Sequence, residues 1–282
     1  MSSAIAPSRI LYLMDYFSGP RGGTEGQLFE LIRNLDRSRY EPRFAVFRPT
    51  AYLERGNFPC ETMVLDIHPL ARLSSLKRLL WLARYIRHTA TKLVHTFFID
   101  TSMAAPLFCK LAGARVVTAR RDMGFWYTRR TLAAMRLANL FVDRIVANCD
   151  AVRENVSRRE RFPKERISVI YNGHDASKFS VAPSPDFRKQ WQIADTAPII
   201  GIVANLSPIK RHQDLLKALS ILHEKQPAAV LAIVGGGADK DVAFTRRLAQ
   251  DLGVEDRVRF LGSLANPVPA IKHFDVCVLC SE

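Results

Sequence analysis

The chain has 282 residues, 48 % of them hydrophobic and 24 % charged, with a formal net charge of +14. That length and apolar content bury one large core or two ordinary ones, two being the better fit, and exclude a disordered or fibrous chain. The excess of Lys and Arg calls for an anionic counterpart such as phosphate ligands or acidic lipids; with no helix-turn-helix, zinc-finger or single-strand-binding pattern, nucleic acid is not expected.

Residues 9–17 are a short apolar run that ends in Ser18-Gly19-Pro20-Arg21-Gly22-Gly23, and Thr24 opens a helical pattern. The order is strand, glycine-rich loop, helix. Apolar runs recur at 44–47, 63–67, 93–99, 116–119 and 144–147, separated by segments of helical periodicity. Such alternation predicts a parallel sheet with crossover helices. From 179 to 198 the composition turns to Ser, Pro, Asp, Ala and Gln, with Pro183, Pro185 and Pro198 interrupting any regular element.

A second series follows: a strand at 199–204, a helix at 213–224, a strand at 230–234 and then Gly235-Gly236-Gly237. After these come a helix at 241–252, a strand at 257–261, a helix near 269–274 and a strand at 275–280. The predicted architecture is α/β with two Rossmann-like domains, residues 1–178 and 198–282, joined by a linker at 179–197. The second domain is expected to be incomplete and the chain a piece of a longer protein, because a parallel strand at its end lacks the helix that would cover it.

Five cysteines, Cys60, Cys109, Cys149, Cys277 and Cys280, lie in or beside apolar segments. Buried free thiols of a reducing compartment are expected. Cys277 and Cys280 form a C-x-x-C inside a predicted strand, where metal and redox sites are not built. The N-terminus has no basic region followed by an apolar block and a small-residue cleavage site. No apolar stretch approaches the roughly 20 residues that span a bilayer. A cytoplasmic protein is expected, with peripheral contact on the inner membrane face left open.

Three loops suit an anion. Gly22-Gly23-Thr24-Glu25 offers backbone N–H groups at a helix N-terminus, though a tight turn needing positive φ reads equally well. The segment 202–214 carries Lys210 between a strand end and a helix start, where open α/β sheets bind ligands; a solvated surface lysine is the alternative. Gly235-Gly236-Gly237 is the third, on the same kind of edge. None of them continues as the G-x-G-x-x-G of a dinucleotide site.

These loops occur together with Ile145-Val146-Ala147-Asn148-Cys149-Asp150, with Val169-Ile170-Tyr171-Asn172-Gly173-His174-Asp175 and Phe179, and with residues 275–281. In this order and spacing they resemble glycosyltransferase family 4 along nearly the whole chain. The resemblance implies a GT-B enzyme that moves a sugar, with retention, from a nucleoside diphosphate sugar to a cell-surface glycan or lipid-linked acceptor, in the cleft between two domains. It places Gly22, Gly23, Asn205, Lys210, Gly235 and Gly236 at the donor diphosphate, Lys210 neutralising the charge that gathers on the departing nucleoside diphosphate. His95 is the catalytic candidate, a buried structural histidine at a strand end being the alternative. Arg120 and Arg121, in a basic cluster around Trp126, and Asn172 and Gly173 are candidates for the acceptor side, with surface salt pairing an equal reading of the arginines. No metal and no cofactor are implied, the nucleotide sugar being a substrate.

Three positions depart from the family pattern. Asn205 stands where an Arg usually precedes the loop lysine by five residues. His95-Thr96-Phe97 keeps only the first His of His-x-His. The Glu, seven residues, Glu motif that holds the donor's sugar and ribose is not reached, Glu282 falling two positions too early to be its first glutamate. Weak donor binding and slow turnover are therefore expected of the chain. A nucleotide-sugar epimerase of the same architecture and a non-catalytic binding module are the competing readings.

Residues 73–91 form an amphipathic helix, apolar at Leu76, Leu79, Leu80, Ala83 and Ile86 and basic at Lys77, Arg78, Arg84, Arg87 and His88. Core packing with a solvated basic face and docking on an anionic membrane are both open for it.

Overall fold

The computed structural model describes residues 6–281 apart from Arg21 and His223. Glu282, compared above with the family's first glutamate, and Arg21 of the first glycine loop lie outside the described residues. The chain divides into two compact units, Met1–Gly173 and His174–Glu282.

In the first unit, seven described strands form one sheet in the order β3-β2-β1-β4-β5-β6-β7. They are β1 (Ser8–Met14), β2 (Tyr40–Val46), β3 (Glu61–Val64), β4 (Leu93–Phe97), β5 (Arg115–Arg120), β6 (Arg144–Ala147) and β7 (Ile167–Val169). All neighbours pair in parallel. The crossovers run through α1 (Gly23–Arg33), α2 (Ala51–Glu54), α3 (Leu73–His88), α4 (Ile99–Leu111), α5 (Arg129–Ala138) and α6 (Asp150–Glu160). Alternation along each strand divides the apolar residues between two layers. Tyr12, Met14, Phe44, Val46 and Phe97 meet Leu28 and Ile32 of α1 on one face. On the other, Leu11, Leu13, Ala45, Val94 and Val116 meet Leu79, Leu82 and Ile86 of α3, Ala105 and Cys109 of α4, and Val152 and Val156 of α6.

The single apolar face expected of α3 is in fact two. Leu79, Leu82 and Ile86 enter the core, whereas Leu76 and Leu80 are 43 % and 46 % exposed. At 3.6 residues per turn, the row 73, 76, 80 lies about 120° round the helix from the row 79, 82, 86, too far for one sheet to cover both.

Buried polar side chains hold the loops on the carboxyl edge of this sheet. Asp15, just past β1, accepts hydrogen bonds from Asp100 N–H (2.9 Å) and Thr101 N–H (2.7 Å). It thereby caps α4, whose own N-cap residue Phe98 has φ of 69° and supplies no side-chain cap. Arg120, assigned from its sequence neighbourhood to the acceptor side, is corrected here: it ends β5 pointing inward and is only 5 % exposed. Its guanidinium donates to both carboxylate oxygens of Glu160, at 2.7 and 3.0 Å, and Asn139 and Tyr127 donate to the same carboxylate. Burial opposes the ionisation of Glu160, but the Arg120 charge and these hydrogen bonds outweigh it and hold the carboxyl below the ordinary glutamate range.

The second unit's sheet runs β10-β9-β8-β11, with β8 (Ile199–Val203), β9 (Val230–Val234), β10 (Val258–Gly262) and β11 (Val276–Cys277), again all parallel. Its helices are α7 (Phe187–Gln190), α8 (His212–Leu222), α9 (Asp239–Asp251) and α10 (Val268–Ile271). The stretch 179–197, expected as a linker, contributes to this unit's core: Phe187, Ile193 and Ala197 pack with Ile199, Val230 and Leu261. Burying Phe187 and Ile193 is worth about 1.5–3 kcal/mol each, enough to offset ordering a few irregular residues at about 1–2 kcal/mol apiece. The strand expected at 275–280 shortens to two paired residues, because β11 has one neighbour only. Of the cysteines, Cys109 is buried, Cys277 is exposed and the others are intermediate, all as free thiols. Among the described residues no helix is long and apolar enough to cross a membrane.

Glu160→Ala leaves Arg120 buried without its counter-charge and is expected to cost about 3–5 kcal/mol in urea unfolding at neutral pH, while Arg120→Met combined with Glu160→Leu recovers most of that loss. The folded carboxyl titrates below its unfolded value of about 4.3, so the pair's contribution is present above that pH and is lost as pH falls through the folded value. Unfolding midpoints measured down this range should drop more steeply for the natural chain than for the double replacement.

Candidate active site

In the first unit the carboxyl edge gathers most of the residues singled out by sequence. Gly22 is the N-cap of α1 in an extended conformation, with no side chain capping that end. A Cβ at Gly22 would lie 2.3 Å from Glu25 Oε2, whereas one at Gly23 would meet nothing within 4 Å. The Glu25 carboxylate is the far end of a flexible side chain that can swing aside, so packing demands neither glycine, and Gly23 leaves open space in front of uncapped backbone N–H groups. Gly26 has a fold role that the sequence did not signal, since its Cβ would lie 2.5 Å from the Pro20 carbonyl oxygen.

One turn along α1, Gln27 grips the backbone of Gly173 on both sides: its amide donates to the Gly173 carbonyl at 2.7 Å and accepts from the Gly173 N–H at 3.0 Å. The two preceding residues are tethered as well. Arg121 donates to Asn172 Oδ1, and Tyr171 O–H donates to Asp150 Oδ2 at 2.8 Å. Three consecutive exposed residues after β7 are thus fixed to α1, to the loop after β5 and to α6. Gln27 carries no motif and could not have been found from sequence, whereas Asp150 closes the 145–150 stretch without its partner being signalled.

The loop holding Arg121 is itself braced. Gly124 N–H and Trp126 Nε1 both donate to Asp122 Oδ1, Asn155 donates to the Met123 carbonyl, and Tyr127 reaches the Arg120–Glu160 pair. His95 lies in β4 with its ring 5.9 Å from Tyr12 and 4.4 Å from Phe97. Its Nε2 is buried with no hydrogen-bond partner among the described residues. Burial, aided by the Arg121 charge, drives the imidazole pKa down to about 3, so the ring is neutral at physiological pH.

In the second unit two loops continue the parallel pairing beyond the strands. Ala204 N–H donates to Val234 O (2.9 Å), Leu206 N–H to Gly236 O (2.7 Å), and Leu206 bridges Gly237. This backbone-to-backbone approach explains two of the three glycines. A Cβ at Gly235, where φ is +152°, would lie 1.9 Å from the Ala204 carbonyl oxygen, and one at Gly237 would lie 2.4 Å from that of Leu206. At Gly236 the nearest atom would be Ser263 Cβ, at an ordinary 3.5 Å. The pairing also sets Asn205 against Gly235.

Further along the same loop, Lys210 closes a short 3-10 turn before α8. No salt bridge to Lys210 is found among the described residues, and its charge helps to depress the pKa of buried His212, second to burial itself. Among the described residues no group of three or more His, Cys, Asp or Glu side chains is fit to hold a metal ion. The edge therefore presents a half-exposed cation and uncovered backbone, which suits a phosphorylated ligand.

Known proteins are similar to this chain in sequence and in fold. The family description Glycosyltransferase Family 4 matches residues 21–178, more than half of the chain, and Glycosyl transferases group 1 matches residues 183–282. A GDP-mannose-dependent alpha-(1-6)-phosphatidylinositol monomannoside mannosyltransferase of Mycolicibacterium smegmatis is 32 % identical over 187 residues, 59 % of this chain and 46 % of that protein. The N-acetyl-alpha-D-glucosaminyl L-malate synthase of Bacillus anthracis is 28 % identical over 120 residues, 43 % of this chain and 31 % of its own. The matched stretch thus spans less than half the length of either relative. In fold, the chain is similar to Anabaena Alr3699/HepE solved with UDP and glucose, with a TM-score of 0.79 and 24 % identity over 97 % of this chain and 74 % of that one. Two parallel-sheet units with glycine-bearing turns on their carboxyl edges, a GT-B architecture, and a family match over most of the first unit lead to one assignment: the chain belongs to glycosyltransferase family 4.

Proposed function

We propose that the protein transfers a sugar from a nucleoside diphosphate sugar to a cell-surface glycan or lipid-linked acceptor, with retention at the anomeric carbon, working at the inner membrane face. The observation that carries this reading is the second unit's pair of locked loops, which hold Asn205, Gly235 and Gly236 together beside the segment bearing Lys210. Two similar proteins support the class of donor, one named for GDP-mannose and one solved with UDP and glucose. The mannosyltransferase's phosphatidylinositol-based acceptor supports a lipid-linked acceptor here.

In this reading Lys210 supplies the positive charge that the leaving diphosphate needs in the transition state, with no metal and no cofactor required. Asn205 and Gly236 offer backbone and amide donors to it, Gly236 being bare for reasons other than packing, while Gly235, whose N–H donates to the Gly262 carbonyl at 2.9 Å, lets the two loops approach. Gly22 and Gly23 present the uncapped start of α1 to a phosphate of the donor. His95 acts as a neutral hydrogen-bonding group toward the sugar, since a ring with a pKa near 3 carries no proton to give as imidazolium. Arg121, steadied by Asn172 beside Gly173, faces the acceptor; Arg120 is withdrawn from that role.

Calorimetric titration with UDP, GDP and ADP tests the donor site. One of the three should bind, and Lys210→Ala should weaken it about tenfold to a hundredfold, the loss expected for a hydrogen bond to a charged group. Gly236→Val should weaken binding without lowering the unfolding midpoint, because only an ordinary contact awaits its side chain. Absence of affinity for all three, or affinity indifferent to Lys210, would refute the assignment. Release of free nucleoside diphosphate from the matching sugar, with proton NMR of the product's anomeric centre, tests transfer and retention.

The His95 role makes a separate prediction. His95→Gln should lower kcat/KM, yet leave the shape of its pH profile unchanged between about pH 5.5 and 8, a range in which a neutral buried imidazole does not titrate. Loss of an inflection near the ordinary histidine value in the variant would show instead that His95 moves a proton.

A further inference from the structure

The exposed row of α3 has no partner in the first unit. Leu73, Leu76 and Leu80 follow one another at helical spacing, and Trp81 stands beside them at 47 % exposure. Leu107 and Leu111 of the neighbouring α4 are exposed too. Between the helices runs a groove of about 250 Å³ lined by Leu80, Ala83, Arg84, Arg87, Phe108 and Leu111. Its walls are apolar and its rim carries two guanidinium groups, so it offers an acyl segment a floor and a phosphate a counter-charge.

The charge pattern selects the occupant. Residues 67–99 contain six Lys and Arg, namely Arg72, Lys77, Arg78, Arg84, Arg87 and Lys92, and not one Asp or Glu. Arg78 stands 3.9 Å from Asp66 and Arg87 donates to the Leu111 carbonyl. Lys77 and Arg84 have no ion pair among the described residues. A second copy of the chain would bring two cationic rims together, which is unfavourable. A surface that is apolar inside and anionic at its boundary satisfies both halves of the pattern.

We infer that the α3–α4 face of the first unit docks on an anionic phospholipid bilayer. Leu73, Leu76, Leu80 and Trp81 enter the boundary between headgroups and acyl chains, Lys77 and Arg84 meet lipid phosphates, and the groove takes a segment of acyl chain. α3 follows β3 through residues 65–72 and so starts on the carboxyl edge, which docking sets beside the lipid headgroups. This deepens the placement at the inner membrane face and rests on that part of the proposed function, but the contact needs no nucleotide, so its failure is distinguishable from failure of the transfer reading.

Sedimentation of the chain with vesicles of equal parts phosphatidylglycerol and phosphatidylcholine, against vesicles of phosphatidylcholine alone, reads the contact directly. The chain should bind the anionic vesicles and not the neutral ones, with a blue shift of tryptophan emission that Trp81→Phe removes. Lys77→Glu with Arg84→Glu should weaken binding about tenfold or more. Leu76→Ser with Leu80→Ser should abolish the blue shift. Both pairs alter exposed side chains, and their unfolding midpoints should match the natural chain, which separates docking from misfolding. Equal binding to both vesicles, binding unmoved by either pair, or a dimer that the serine pair dissolves in a chain that ignores vesicles would overturn the inference.

Discussion

Every described strand pairing in both units is parallel, and that constraint decides where the chemistry can sit. A parallel strand must be followed by a crossover that returns to the opposite edge, so all the strand-to-helix turns of a unit leave from its carboxyl edge. The first unit's Gly22-Gly23 loop, Arg121 and the 171–173 segment share an edge for this reason. In the second unit the loops after β8 and β9 emerge as neighbours because their strands are neighbours. Glycine at 235 and 237 then lets the two backbones go on pairing past the strand ends.

An edge made of loops has to be held still if it is to organise a ligand, and the first unit does so with a few buried polar groups. Asp15 satisfies the start of α4 from the end of β1, across a sequence separation of 85 and 86 residues. Glu160 collects Arg120, Asn139 and Tyr127, and so anchors both ends of the loop that displays Arg121. Gln27 ties the helix behind the glycine loop to the last residue of the unit. The first two use hydrogen bonds to charged or backbone groups away from bulk water, where they are geometrically exacting, and the third is made at the surface by a paired donor and acceptor.

The alternating layout was readable because hydrophobic period and glycine placement are local signals. β1, β5, β6 and β9 fall on the apolar runs at 9–17, 116–119, 144–147 and 230–234, and both glycine loops open onto helices. What was not readable depends on partners distant in sequence. Arg120 and Arg121 look alike in a basic cluster, yet strand alternation turns the first inward to a glutamate forty residues later, for which no pattern exists. Phe187 and Ile193 sit among polar and Pro residues, so composition hid their part in the second core. On α3 the sequence grouped Leu76 and Leu80 with Leu79, and only the packing of Leu79, Leu82 and Ile86 into the core separates the row that is covered from the row that is not. The candidate site was thus legible as a set of loops and not as a set of contacts.

The central claim is that the second unit's locked loops receive a diphosphate. Amide chemical shifts recorded while the nucleoside diphosphate is added address it residue by residue. The account predicts the largest displacements at residues 204–210 and 235–237, with the backbone N–H of Gly236 and Asn205 among them. Displacements confined to other parts of the chain, with these amides unmoved at saturation, would contradict it.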